Sequence, residues 1–222
     1  MDIHKPKPVH GWREFLSEIG IIVLGVLIAL ALDQTVEWLH VQSEVAETRA
    51  ALKVEISRNA GIAAFSSAED KCMFAYTQKW IAWAKGGPRP NIFFPRYHSL
   101  QSAIWDLSKT GAVTHMPLNE RAALAKYYSG VALFNQNRDL QRQMGIRIFS
   151  IALSDRLSDA QAQALVQESN GAGVMNQYQW QNADGVIGRA REFGVEPEPW
   201  SASDRNGLVQ LCQAAGGPQP PS

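Results

Sequence analysis

The sequence predicts an all-α protein: one N-terminal transmembrane helix continuing into an amphipathic stalk, followed by an extramembrane helical bundle. Three observations carry this. Residues 19–32 read IGIIVLGVLIALAL, without a polar side chain. Residues 33–59 hold neither Pro nor Gly, and nowhere does a sustained period-two alternation mark a strand. With 222 residues, 45% of them hydrophobic and 19% charged, the chain has the size of one domain plus an appendage and the composition of neither a disordered protein nor a membrane bundle. Lys plus Arg equals Asp plus Glu at 21 each, so no global positive field steers it to nucleic acid, and none is expected as a partner.

Residues 1–14 form a short segment before the anchor, which is placed at residues 15–32. As a helix this span covers roughly 27 Å at about 1.5 Å per residue, close to a hydrocarbon core of about 30 Å. Trp12 and Trp38 bracket the run about 39 Å apart, matching the two headgroup interfaces where amphipathic rings settle. A helix buried in a soluble domain would keep a polar stripe, whereas every face of residues 19–32 is apolar or glycine. Lys5, Lys7 and Arg13 precede the run, while the first Lys or Arg after it is Arg49. Positive residues near a span stay cytoplasmic, so the N-terminus is expected inside a bacterial inner membrane and the C-terminal domain in the periplasm. Ala29-Leu30-Ala31 offers a signal-peptidase pattern, and cleavage after Ala31 is the competing reading. Glu14, Glu18 and the lack of a breaking residue between the run and the next helix favour an uncleaved anchor.

The pattern Ser17-Glu18-Ile19-Gly20-Ile21-Ile22-Val23-Leu24-Gly25-Val26-Leu27-Ile28-Ala29-Leu30, followed by Asp33-Gln34 and Val36-Glu37, resembles the N-terminal signature of uncharacterised bacterial single-span membrane proteins. The resemblance covers roughly residues 12–59; it implies a topology and brings no catalytic residue or ligand. Residues 33–60 are predicted as the stalk, with Val41, Val45, Leu52 and Ile56 at near-heptad spacing between charged positions. That stripe needs a partner surface: the rest of its own domain, or the same helix in a second copy. Gly25 and Ala29 form one small-xxx-small step in the span, the kind that lets helices pair closely in a homodimer.

The periplasmic domain is placed at residues 61–215. Gly61 is read as closing the stalk, and Ser66-Ser67-Ala68-Glu69 as a capping box opening a helix to Lys85, ended by Gly86-Gly87-Pro88. Residues 91–97, with Ile92, Phe93, Phe94 and Pro95, are expected as an extended loop packing its aromatics on the helices. A short helix follows over Ser99 to Thr110; Pro117 opens a longer one toward Leu153, which Gly130 and Gly145 are expected to bend or break. Ser158-Asp159 caps a helix to Ser169, another runs from Val174 to Phe193, and the last from Ser203 to Ala214. Residues 216–222 are read as a disordered tail.

Two cysteines, Cys72 and Cys212, sit in the first and last bundle helices, and an oxidising compartment favours a bridge between them over two separate buried thiols. The histidines show no H-E-x-x-H or Cys/His spacing, so no metal or other cofactor is expected. Glu37-x-x-His40 is half of a carboxylate-bundle motif and is read as a solvated pair. Arg138, Arg142 and Arg147 are read as a solvated helix face paired with Asp139. The tryptophans and the Tyr127-Tyr128 pair are read as packing residues. The resulting expectation is a non-enzymatic single-pass protein with the lipid bilayer and a further protein as partners. A periplasmic enzyme or small-molecule-binding domain is the alternative, its cleft then expected near His98, His115 and Tyr127.

Overall fold

A computed structural model describes residues 11–93 and 95–220. Among them 79% are helical and none forms a strand, so the chain is all-α. Five α-helices run in order: α1 Trp12–Ala84, α2 Ala103–Ser108, α3 Leu118–Ala152, α4 Asp159–Glu192 and α5 Ala202–Ala215, with a 3₁₀ turn at Ala112–His115. The chain divides into two compact units, Met1–Glu47 and Thr48–Ser222.

In the first unit α1 is apolar and exposed from Ile19 to Leu32, and Trp12 and Trp38 stand exposed on either side. Helix α1 is long and apolar enough there to cross a membrane.

The second unit is built around the rest of α1. Its burial begins as a stripe, Leu52, Ile56, Ala60 and Ala63, then closes over all sides from Phe65 to Asp70. A helix covered all round needs small or partnered side chains, and Ala, Ser and Gly between positions 60 and 68 supply them. The loop after α1 lies along one flank, where Arg96 N–H donates to Glu69 and Gln101 exchanges two hydrogen bonds with Asn59. Helix α3 supplies Arg138 to Asp70, α4 supplies Asp184 to Ser67, and the segment before α5 brings Trp200 Nε1 to the Gly61 carbonyl. The core cluster joins Phe65, Tyr76 and Trp80 of α1 to Ile148, Leu165 and Leu211 of the later helices.

Several expected boundaries are replaced by longer helices. Gly61 does not end the stalk; α1 runs through it because a glycine there admits the Glu198 backbone, which a Cβ would overlap. Ser66 and Glu69 therefore cap nothing and lie buried in mid-helix. The expected stalk of residues 33–60 is divided, since Thr48 onward belongs to the bundle: Leu52 and Ile56 are buried there, so the domain itself covers that part of the stripe. Helix α3 is unbroken at Gly130 and Gly145, and α4 is unbroken between Ser169 and Val174. Each isolated glycine costs about 1 kcal/mol of helix propensity, less than the packing its missing side chain allows. At Gly173 a Cβ would sit 3.3 Å from Thr77 Oγ1, so α4 approaches α1 through that gap.

The Ser158 cap forms as a full capping box with Gln161. Helix α5 ends at Gly216 with φ 67°, the left-handed conformation that favours glycine. The tail expected to be disordered is placed as far as Pro220: a Cβ on Gly217 would lie 3.1 Å from the Cys72 Cα, and Pro218 to Pro220 line a groove with Lys71 and Trp200. Its proximity to the Cys72–Cys212 bridge explains this, since α5 ends three residues after Cys212. Residues 221–222, Phe94 of the aromatic loop, and His4 and His10 lie outside the described residues.

Candidate functional site

The polar centre of the bundle starts from one residue type in an unexpected place. Arg138 is fully buried, lying on the α3 stripe of Leu124, Tyr127, Val131 and Phe134. An unpaired buried guanidinium is too costly to keep, and here Asp70 of α1 receives it through two contacts, at 3.0 and 3.4 Å. Arg138 also donates to Gln141 Oε1 at 2.9 Å.

That last bond fixes the rest of the network. Arginine is only a donor, so Gln141 must turn its oxygen toward it and its amide nitrogen away. The nitrogen donates to Asp70 Oδ1 at 3.0 Å and to Asn176 Oδ1 of α4 at 2.9 Å. Asn176 in turn must present its own –NH₂ elsewhere, and Asn176 lines the cavity that adjoins this centre. A charge pair on α1 and α3 thus sets the polarity of a neutral amide on α4.

Glu69, beside Asp70, accepts from the Arg96 N–H through one oxygen at 2.8 Å, and its other oxygen is buried without a partner. Burial raises its pKa to about 8, against the pull of Arg138, so it holds a proton at neutral pH. Burial also raises Asp70, to about 6, against Arg138 and Gln141. At neutral pH the cluster therefore carries one carboxylate, one guanidinium and one neutral acid.

Against this centre lies a cavity of about 110 Å³ between α1, α3 and α4, covered by the loop after α1. Its walls are largely aromatic and aliphatic: Tyr76 and Trp80 from α1, Phe93 and Tyr97 from the loop, Ile148 from α3. The polar side chains reaching it besides the tyrosines are Thr77, Gln141 and Asn176, none of them charged. Gly145 positions the cover, because a Cβ there would overlap the Tyr97 hydroxyl. Burial pushes the Tyr97 phenol well above its ordinary pKa, with Glu69 adding to the effect, so it stays protonated. Glu69 is not among the cavity's lining residues, so its proton is not offered there. The chemistry available is recognition: an apolar enclosure with neutral hydrogen-bonding groups on one side.

Of the residues singled out from the sequence, Cys72 and Cys212 are brought together, bonded across a separation of 140 residues with Cα atoms 5.0 Å apart. Trp12 and Trp38 are exposed on α1, as are Gly25 and Ala29, and nothing lies within 4 Å of where a Cβ on Gly25 would be. Glu37 and His40 are exposed as well. The cleft expected near His98, His115 and Tyr127 does not form. His98 packs edge-on against Phe65 and lines a separate groove with Trp200; His115 is exposed; Tyr127 is wholly buried against Tyr128 and Phe193. The reading of Arg138 as a solvated residue is also corrected, while Arg142 pairs with Asp139 at an exposed site. The signal for Arg138 was present: it continues a 3–4 spacing of apolar residues on α3. Asp70, Gln141 and Asn176 carry no such mark, because only the fold brings three helices to one point.

No known family model, curated protein or solved structure matches this chain.

Proposed function

We propose that this chain is a single-pass bacterial inner-membrane protein with a cytoplasmic N-terminus, whose periplasmic helical domain acts by protein interaction as an accessory or scaffold subunit of a membrane complex. The observation that carries the reading is the exposed apolar surface of α1 from Ile19 to Leu32, where Ile21 and Ile22 are 70% and 65% exposed. Surface of that kind is stable in lipid and prohibitive in water. The bracketing Trp12 and Trp38 supply the interfacial anchors, and the Lys5, Lys7 and Arg13 asymmetry supplies the orientation. A periplasmic site for the bundle agrees with the Cys72–Cys212 bond, since disulfides persist in oxidising compartments.

Interaction is favoured over catalysis by the use to which the buried acids are put. Glu55 accepts from Ile104 N–H and from the Tyr128 hydroxyl, holding α2 and α3 to α1. Asp70 is committed to Arg138, and Glu69 to the loop at Arg96. Each carboxylate joins elements of the fold.

The test is extraction of native membranes in mild detergent, affinity capture of the full chain, and mass spectrometry of the intact chain with whatever co-purifies. Full-length chain with a partner in stoichiometric amount is the expected result. Full-length chain recovered alone overturns the subunit reading, and a chain beginning at Leu32 overturns the anchor.

A further inference from the structure

The cavity between α1, α3 and α4 carries an inference independent of the subunit reading. We propose that it is a binding site for a small neutral ligand of about one aromatic ring in size, bearing a hydrogen-bond-accepting oxygen that the Asn176 amide recognises.

Three observations define that ligand. Size comes first: the space is about 110 Å³, and an apolar cavity of about 150 Å³ accommodates benzene in another protein. A single ring with a short substituent is the upper limit without movement of the covering loop. Charge comes second. The polar lining groups are amides and hydroxyls, and the nearby charges, Asp70 and Arg138, are already spent on each other at 3.0 Å. A carboxylate or ammonium entering this space would lose its water and gain no counter-charge. Hydrogen-bond polarity comes third, and it follows from the donor-only nature of Arg138. Arg138 orients Gln141, Gln141 donates to Asn176 Oδ1, and the Asn176 –NH₂ is left to face a ligand as a donor. A ligand offering an acceptor completes the chain of hydrogen bonds; one offering only carbon leaves that donor without a partner inside an aromatic enclosure.

The way in lies under the loop. Ile92, Phe93, Pro95 and Tyr97 cover the cavity, and Ile146, which lines it from α3, is 61% exposed and marks its outer edge.

The experiment uses the full chain in lipid nanodiscs with ¹³C-methyl-labelled methionine. Met73 lines the cavity, and its methyl reports a ring placed beside it; Met116, buried elsewhere in the bundle, controls for shifts that do not arise in the cavity. The probes are acetophenone, ethylbenzene as the shape match without the oxygen, and benzoate as the charged match. Expected is a saturable Met73 shift with acetophenone, binding weaker by about five- to tenfold with ethylbenzene, as one neutral hydrogen bond allows, and no shift with benzoate. In Asn176→Leu the preference for acetophenone over ethylbenzene should vanish while both still bind. Ala172→Leu, which adds volume at the cavity wall, should weaken all binding, so the claim does not depend on one variant folding. No Met73 shift with any probe overturns the site. Equal binding of acetophenone and ethylbenzene to the wild-type chain overturns the recognition by Asn176. Contacts between the Met73 methyl and lipid acyl protons before any probe is added overturn the small-molecule reading in favour of an acyl chain.

Discussion

Arg138 illustrates how one side chain determines several others. Truncating it to methionine would leave Asp70 buried without its partner, and breaking a buried pair from one side costs about 3–5 kcal/mol. In urea unfolding Arg138→Met should therefore lower the stability of the bundle strongly, whereas Arg142→Met, at the exposed Asp139 pair, should change it by less than about 1 kcal/mol. Glu69 makes a different prediction because its folded pKa is raised, from 4.5 to about 8. Between those values the folded protein holds a proton that the unfolded chain has released, so stability falls as pH rises through this window. The loss is on the order of 5 kcal/mol at most. Asp70, raised from 3.8 to about 6, adds a loss of the same sign at lower pH. Unfolding measured from pH 5 to pH 8 should show declining stability, and Glu69→Gln should flatten the slope above pH 6 while raising stability at pH 8. A wild-type bundle that gains stability over this range would show that Glu69 is ionised in the fold.

Helix α1 runs 73 residues because nothing in it compels an end: its first φ-positive glycine is Gly86, just beyond Ala84. The boundary expected at Gly61 rested on local punctuation, whereas the glycine's role there is to admit the Glu198 backbone. Two opposed magnitudes turn this into a test. Gly61→Ala gains about 1 kcal/mol of helix propensity, but its Cβ meets a backbone carbonyl that cannot rotate away, and overpacking of this kind costs about 1–3 kcal/mol. It also threatens the Trp200 Nε1 bond to the Gly61 carbonyl and the Glu198 N–H bond to Ser57. Net destabilisation is expected in thermal unfolding, with reduced burial of Trp200 seen in its fluorescence; a higher melting temperature would show that the 195–200 segment yields freely. Helix α5 depends on a different constraint. Its Cys212 closes a loop of 140 residues onto Cys72, a cross-link worth about 5 kcal/mol by chain-entropy reasoning, so reduction with dithiothreitol should lower the midpoint by a corresponding amount. The sequence made these cysteines a candidate pair through their even count, and made the Ser158 cap legible because a capping box is local. It did not reveal that α3 and α4 continue through their glycines, since that depends on Tyr97 and Thr77, which come from other elements.

At the scale of the whole chain, what was legible follows the range of the interaction responsible. The apolar run of α1 is a matter of composition over adjacent residues, and it could be read directly with its flanking tryptophans. The cavity requires Trp80, Tyr97, Gln141 and Asn176 to converge from four separate stretches, which periodicity within any one of them does not encode. The proposed topology links these scales, because orientation decides the redox environment of the cysteines. Lys5, Lys7 and Arg13 are the cations next to the span on one side, and the first on the other side is Arg49. Replacing all three by glutamate removes the positive-inside bias. The altered chain should insert in mixed or inverted orientation, so that external protease added to spheroplasts digests the helical domain less completely. In the inverted fraction Cys72 and Cys212 would face the reducing cytoplasm, become open to alkylation, and lose the cross-link that holds α5 and the residues after it against α1. Protection from protease and thiol labelling should therefore rise together in the same molecules. Complete digestion with both cysteines still blocked would show that the charges before the span do not set its direction.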